Sequence, residues 1–166
     1  MIFCELNTRY LKELICDMEL VTKCHGVREY SDEDVIVFKK GLPGFKELKS
    51  FIIFPLESNE VFSILHSIEA AEVGLVLVSP FTILADYEFK IPDAFTKQLQ
   101  IDKPEEVLVL TTVTLSSNIE NMTTNLKAPI IINIKEKLGE QLILDNDKYK
   151  IKEPLFKRGQ INVSNR

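Results

Sequence analysis

The chain has 166 residues, of which 45% are hydrophobic and 27% are charged, and its formal net charge is −5. This length allows one domain, and the composition is that of an ordinary globular protein, which excludes collagen-like, disulfide-rich and largely disordered classes. The three cysteines lie within the first 24 residues without CxxC spacing, a usage typical of a reducing cytoplasm. No apolar run approaches the ~20 residues that span a bilayer, and no secretory signal is recognisable. We therefore expect a cytoplasmic protein with no membrane contact.

The charge is unevenly distributed along the chain. Residues 57–106 contain ten acids and three bases, whereas residues 147–166 contain two acids and six bases. Direct nucleic-acid binding usually requires a concentrated basic face that displaces phosphate counterions. Because the basic residues here cluster only in a short tail, the sequence predicts no direct nucleic-acid partner.

The first 17 residues differ in pattern from the rest. Phe3, Leu6, Tyr10 and Leu14 recur at intervals of three and four, which predicts an amphipathic helix. We therefore divide the chain into a helical N-terminal extension (1–17), a β domain (18–155) and a basic C-terminal tail (156–166).

From residue 18 onward, short β-type runs alternate with Gly, Pro, Asp and Asn turn residues. Nine runs are predicted as strands: 20–24, 35–38, 51–54, 61–68, 74–79, 87–91, 107–115, 130–134 and 141–144. Residues 93–100 alone predict a helix within the domain, since Pro92 and Asp93 open it. This spacing predicts an all-β, single-domain fold, an antiparallel barrel or sandwich with one short helix. The run 107–110 is apolar on both faces, which predicts a central strand.

Candidate chemistry is sparse. His66 shares one predicted strand face with Phe62 and Ile64, which favours a buried histidine with a hydrogen-bond partner over a catalytic one. Cys24 and His25 are adjacent, so on a strand they face opposite sides and cannot easily share a metal. No HExxH, phosphate-loop or GxSxG motif is present. The sequence predicts no catalytic residue, no metal and no organic cofactor.

One pair of carboxylates leaves an enzymatic alternative open. A strand over residues 87–91 places Asp86 and Glu88 on one face, and paired carboxylates set about 5–9 Å apart can perform glycoside chemistry. An acidic solvent face opposite Tyr87 and Phe89 is the favoured interpretation of the same alternation. An oligonucleotide-binding small barrel is a further alternative, although its stacking aromatics should be interleaved with bases rather than with these acids.

A glycine-rich turn is the most specific local structural signal. Pro43 presets φ at the second position of a turn, and Gly44 accepts the positive φ that the third position of a type II turn requires. Phe45 then re-enters the fold. The turn is interpreted as scaffold.

Around this turn the sequence VIVFKKGLPGF (35–45) resembles the signature of the FliW family of flagellar assembly factors. The likeness continues in order through residues 51–57, 79–81, 86–89, 125–130 and 138–141, and it ends near Tyr149 and Leu155. The motif residues taken as structural are Gly41, Leu42, Pro43, Gly44, Phe45, Tyr87, Asn125 and Pro129. Residues 1–17 precede the usual family start, so either translation begins at Met18 or the protein carries an added helix.

The resemblance implies a β-barrel-like protein without catalytic activity. Its implied partners are flagellin and the RNA-binding translational repressor CsrA, which the family antagonises allosterically. The acidic middle segment suits a partner that binds polyanionic RNA, because acids near an RNA groove repel phosphates. The candidate partner-binding residues are Glu57, Glu60, Glu69, Glu72, Asp86 and Glu88.

Overall fold

A computed structural model of the chain describes residues 18–57 and 59–156. The predicted helix over 1–17 and nearly all of the predicted basic tail lie outside these residues. The strands of the described part are β1 (Met18–Thr22), β2 (Gly26–Tyr30), β3 (Ile36–Val37), β4 (Ser50–Leu56), β5 (Asn59–Ser67), β6 (Gly74–Val78), β7 (Val107–Thr114), β8 (Thr123–Thr124), β9 (Ile130–Asn133), β10 (Leu138–Gln141) and β11 (Glu153–Pro154). The α-helices are α1 (Pro80–Ile83) and α2 (Asp93–Gln98).

Seven strands close into a barrel. Their order is β7-β6-β5-β4-β3-β10-β9, and β9 returns to β7 through the register Val107↔Asn133 to Leu110↔Ile130. Strands β1 and β2 form a separate hairpin, and β8 and β11 extend the sheet beside the end of β7. The predicted all-β barrel is confirmed. It is not wholly antiparallel, since β3 and β10 pair in parallel.

The barrel is filled by side chains from its inward faces. The central cluster includes Phe38, Phe51, Leu65 and Leu77, all fully buried. A second cluster packs outside the barrel wall, under α2 and the loops. It includes Tyr87, Leu99, Leu126 and Ile131. Strand β7 contributes to both clusters, which confirms the prediction of a strand apolar on both faces. Each large apolar side chain buried in this way contributes about 1.5–3 kcal/mol relative to exposure.

The helices partly match the predicted pattern. Helix α2 begins at Asp93 as expected and ends at Gln98, so the prediction over 93–100 is confirmed. The expectation of one helix is wrong, because α1 also forms. It is a single turn that starts with Pro80, a residue well suited to a first helical position.

The predicted strand over 87–91 is wrong. These residues form a loop without ladder pairing. Tyr87 is buried and its hydroxyl donates to the Leu126 carbonyl at 2.8 Å, while the Glu88 N–H donates to the Tyr149 hydroxyl at 2.9 Å. The alternation of apolar and polar residues therefore reflects side chains that anchor a loop.

Two further strand predictions miss their position. The run 20–24 is displaced by two residues, because β1 ends at Thr22, residues 23–25 form a hairpin turn, and β2 begins at Gly26 with φ +70°. The run 141–144 follows β10, which occupies the weakly β-forming sequence Leu138–Gln141 instead.

Candidate partner-binding surface

The predicted type II turn is present. Its Phe45 N–H donates to the Leu42 carbonyl at 2.8 Å, and Gly44 has φ +88°. Leu42 is buried, Phe45 is half-buried, and Pro43 and Gly44 are exposed. The preceding Gly41 has φ +68° and donates its N–H to the Phe38 carbonyl at 2.8 Å. Leu42 of the turn belongs to the barrel core, so the interpretation of the turn as scaffold stays a prediction that fits this geometry.

Other motif residues meet beside this turn. A pocket of about 280 Å³ is lined by Pro43, Asn125, Lys127, Ala128, Gln141, Ile143 and Ile151. The Asn125 Oδ1 accepts the Lys127 N–H at 3.1 Å, and the Gln141 side chain donates to the Ala128 carbonyl at 2.9 Å. Pro129 is buried. The Asn125 and Gln141 side chains thus bind the backbone of residues 127–128. This geometry fits the predicted structural role of Asn125.

Tyr87 also binds the backbone of residues 125–129, through its hydrogen bond to the Leu126 carbonyl. Burial, followed by the neighbouring Tyr149, raises the pKa of its hydroxyl. The hydroxyl therefore stays protonated and keeps donating to the Leu126 carbonyl. A buried, engaged ring offers no stacking platform to a base, which disfavours an oligonucleotide-binding surface at this position.

The six candidate acids do not form one patch. Glu57 and Glu60 lie where β4 turns into β5, and Glu69 and Glu72 lie beyond the other end of β5. Strand β5 has nine residues, and its eight intervals of ~3.3 Å give it a length of about 26 Å, which keeps the two pairs apart. The Glu69 carboxylate accepts the N–H groups of Lys49 and Ser50 at 3.0 and 3.1 Å, so it holds the backbone.

Asp86 and Glu88 are both exposed. Because their segment is a loop, the expectation that a strand presents both carboxylates on one face is wrong. Glu88 pairs with the Lys148 ammonium at 3.0 Å, an exposed ion pair of the kind that contributes about 0–1 kcal/mol. Nothing in this geometry assembles an acid–base pair.

A groove of about 350 Å³ lies on the outer surface of β5 and β6. Phe62 and Ile64 of β5 and Val76 of β6 form its floor, with Ile64 directly opposite Val76. Their neighbours Leu65 and Leu77 face the barrel interior, which places the floor residues outside. The remaining lining residues are His25, Leu56, Asn59, Leu115, Ile119, Met122 and Phe156.

Three acidic residues lie next to lining residues of this groove in sequence or on the same strand face. Glu60 lies two residues before Phe62 and so shares its strand face, Glu57 follows the lining residue Leu56, and Glu120 follows Ile119. All three acids are exposed. We call the groove with these three glutamates the acid-rimmed groove.

An arginine pairs with Glu57, one of these acids. The Arg28 Nη2 lies 2.8 Å from the Glu57 Oε1, and its guanidinium lies over the Phe54 ring at 4.8 Å from the centroid. Its buried Nε has no hydrogen-bond partner within the described part of the chain. The ion pair orients Glu57, whose side chain is 77% exposed and remains open to a second contact.

The two histidines lie near each other, His25 in the β1–β2 turn and His66 on β5. His66 is buried and its Nδ1 donates to the Ser67 carbonyl at 2.8 Å, which confirms the expected buried histidine with a partner. The His25 ring meets the His66 ring edge-on at 6.4 Å and the Phe54 ring at 5.9 Å. Burial, then the nearby His66 and Arg28, lower the pKa of His25 below 6.5.

Acidification should therefore destabilise the protein through His25. Its folded-state pKa lies below the unfolded value of 6.5, so the unfolded chain binds the proton more readily. The free energy of unfolding is expected to be highest above pH 6.5 and to fall as the pH drops below that value. Urea titrations from pH 7.5 to 5 should show a shallower pH dependence for His25→Asn than for the wild type; an identical slope would contradict this assignment.

In residues 18–57 and 59–156, no group of three His, Cys, Asp or Glu side chains is placed to hold a metal ion. Within the same residues, no helix has the length and apolar character needed to cross a bilayer.

Sequence reasoning found two of the three rim acids and missed Glu120 and the apolar wall. Leu115, Ile119 and Met122 occur singly within the polar stretch LSSNIENM (115–122). Leu115 and Ile119 are 60% and 47% exposed. Large apolar residues that occur singly in a polar stretch were the sequence signal that could have indicated this wall.

Comparisons with known proteins agree on one family. The family model for FliW protein matches residues 19–155. A flagellar assembly factor FliW from Clostridium novyi (strain NT) is 62% identical over 142 residues, covering 86% of this chain and 99% of the relative. Another from Clostridium botulinum (strain Okra / Type B1) is 56% identical over 140 residues, covering 84% and 98%.

A solved structure shows the same fold. The crystal structure of a flagellar assembly factor FliW superposes with a TM-score of 0.78 at 37% identity, covering 86% of this chain and 99% of that chain. The shared barrel, the glycine turn and the match along nearly the whole described part lead to one conclusion: the chain belongs to the FliW family of flagellar assembly factors.

Proposed function

We propose that this protein is a cytoplasmic regulatory binding protein that acts without catalysis and binds flagellin and the translational regulator CsrA. The observation that carries the proposal is the family match over residues 19–155, with a relative 62% identical along 99% of its length. Free flagellin captures the protein. Export of flagellin releases it to antagonise CsrA allosterically, and flagellin translation rises.

The distribution of acids supports a role against an RNA-binding partner. Glu57 and Glu60 are exposed together at one end of β5. Acids that contact basic residues of CsrA speed association and lose their effect in salt. Acids that lie near the RNA groove without contact lower RNA affinity by repulsion over about 8 Å at physiological salt.

Charge reversal at the β4–β5 end should weaken CsrA binding. We expect the Glu57→Gln, Glu60→Lys double variant, which removes the charge at 57 while keeping an acceptor for Arg28, to lose about three- to tenfold in affinity at low salt and less at high salt, since the lost contacts are exposed. Glu72→Lys at the opposite end of β5 is the matched control and should change affinity by less than about twofold. Glu69 is unsuitable, because its reversal also breaks the backbone contacts to Lys49 and Ser50.

Calorimetric titration with CsrA and displacement of a bound RNA should be measured on the same variants. Lower CsrA affinity identifies contact acids, whereas weaker RNA displacement at unchanged affinity identifies acids that repel phosphates. If the double variant matches the wild type in both measurements, the acids at this end serve only as solvated surface.

A further inference from the structure

The β1–β2 hairpin is attached to the barrel almost entirely through side chains. Its two strands pair with each other and form a sheet separate from the barrel sheet. In the described part of the chain, one backbone hydrogen bond joins the hairpin to the rest, from the Lys23 N–H to the Ala71 carbonyl at 3.1 Å. Leu20 of β1 is buried but belongs to neither core cluster. Because an isolated two-stranded hairpin is only marginally stable in water, its order depends on its contacts with the barrel.

Three rings hold the hairpin turn against the outer face of the barrel. The His25 ring meets the Phe54 ring of β4 at 5.9 Å and the His66 ring of β5 at 6.4 Å, edge-on in both cases. Phe54 and His66 stack on each other at 6.5 Å. His66 points away from the barrel interior, since its neighbour Leu65 belongs to the central cluster, and yet it is only 2% exposed. The turn therefore contributes to the burial of His66. We call His25, Phe54 and His66 the ring cluster.

Basic groups outnumber acidic groups around the ring cluster. The Arg28 guanidinium of β2 lies over the Phe54 ring at 4.8 Å from the centroid, and its Nη2 is paired with the Glu57 carboxylate at 2.8 Å. Burial first, then His66 and Arg28, lower the pKa of His25, and Glu57 opposes them. A proton on His25 therefore faces two basic side chains and one carboxylate.

The loop after β5, which accepts the Lys23 N–H, does not supply a second carboxylate. The Glu69 carboxylate is already bound to two backbone N–H groups, and Glu72 is exposed. Neither contributes to the shift of the His25 pKa. The acid that can offset a proton on His25 is thus Glu57, which is already paired.

We propose that the ring cluster is a pH-sensitive switch, which holds the β1–β2 hairpin on the barrel at neutral pH and releases it when His25 takes up a proton. A charged imidazole is disfavoured in a half-buried site beside other basic groups. The barrel stays folded in the open state, because neither its ladder nor its core clusters include residues 18–30. Release of the hairpin makes Phe54 and His66 accessible to solvent.

The pH range follows from the direction of the shift. In the docked hairpin the pKa of His25 lies below 6.5, the value that it regains when the hairpin is released. Docking is therefore strongest above pH 6.5 and weakens as the pH falls below that value, since the released form binds the proton more readily. The loss of stability on acidification is concentrated in the hairpin, as local opening and not as unfolding of the whole chain.

Hydrogen exchange followed by mass spectrometry tests where the loss occurs. Exchange of the full chain is measured at pH 7.5 and 5.5 and corrected for the intrinsic exchange rate at each pH. Protection of peptides covering residues 18–30 should fall about threefold or more at the lower pH, whereas protection of β7 should change by less than about twofold. His25→Phe keeps a ring against Phe54 but takes up no proton, so its hairpin should keep the same protection at both values. His25→Asn also lacks the proton site and should show no pH effect.

Three results would overturn the proposal. Equal losses of protection in residues 18–30 and in β7 would mean that acid unfolds the whole chain. A loss confined to the hairpin that persists in both His25 variants would assign the effect to another group. A wild-type hairpin with the same protection at both pH values would show that the proton does not release it.

Discussion

Replacing Gly41 with alanine should lower the free energy of unfolding by about 2–6 kcal/mol. Gly41 has φ +68°, where an L side chain is strained, and such strain costs about 1–3 kcal/mol. A Cβ at this position would also lie 2.6 Å from the Lys46 carbonyl oxygen, a backbone atom that cannot rotate away. The second effect adds an overpacking cost of about 1–3 kcal/mol.

Gly44 provides the matched control for this change. It also has positive φ, at +88°, but no atom lies within 4 Å of the place where its Cβ would be. Gly44→Ala should therefore lower the free energy of unfolding through backbone strain alone. Urea unfolding of both variants should show a clearly larger loss for Gly41→Ala, and equal losses would show that the close approach to Lys46 relaxes freely.

Gly139→Ala should be comparably damaging for a different reason. Gly139 lies in β10 with ordinary φ, yet its Cβ would fall 2.5–2.8 Å from three ring carbons of Phe38. The Phe38 ring is fully buried in the barrel core and packs edge-on against Phe51 at 5.2 Å. We expect a loss of about 1–3 kcal/mol in the free energy of unfolding, since the ring has no free space to enter.

A double-mutant cycle isolates this contact. Phe38→Leu removes the ring edge and has its own cavity cost of a few kcal/mol. If the ring is the obstacle, Gly139→Ala is much less costly in the Phe38→Leu background than in the wild type. Strictly additive losses would place the damage elsewhere in β10.

Local chemistry explains which parts of the fold could be predicted from sequence. The turn at Pro43 and Gly44 depends only on the φ preferences of two adjacent residues. The central position of β7 follows from apolar residues on both of its faces. His66 was placed correctly because strand alternation put it among apolar neighbours.

Non-local pairing explains the errors. Closure of β7 onto β9 and the parallel contact of β3 with β10 join segments distant in sequence, and no local pattern specifies them. The 87–91 loop has period-two alternation because Tyr87 anchors to Leu126, 39 residues away. A period alone does not distinguish such an anchor from a strand.

Some residues of the candidate surface could likewise be predicted from sequence, and others could not. Glu57 and Glu60 were found because net charge along the chain is visible in sequence. The groove lining combines residues as distant in sequence as His25, Ile119 and Phe156, which only the folded chain brings together. The paired histidines and the role of Glu69 in holding backbone N–H groups were likewise invisible.

The proposed function makes this FliW-family protein a regulatory switch between flagellin and CsrA. The most direct measurement is fluorescence anisotropy of a labelled flagellin leader RNA bound to CsrA, titrated with this protein and then with flagellin. The account predicts that the protein releases the RNA and that flagellin restores the complex in stoichiometric fashion. RNA that stays bound at saturating protein, or release that flagellin does not reverse, would contradict it.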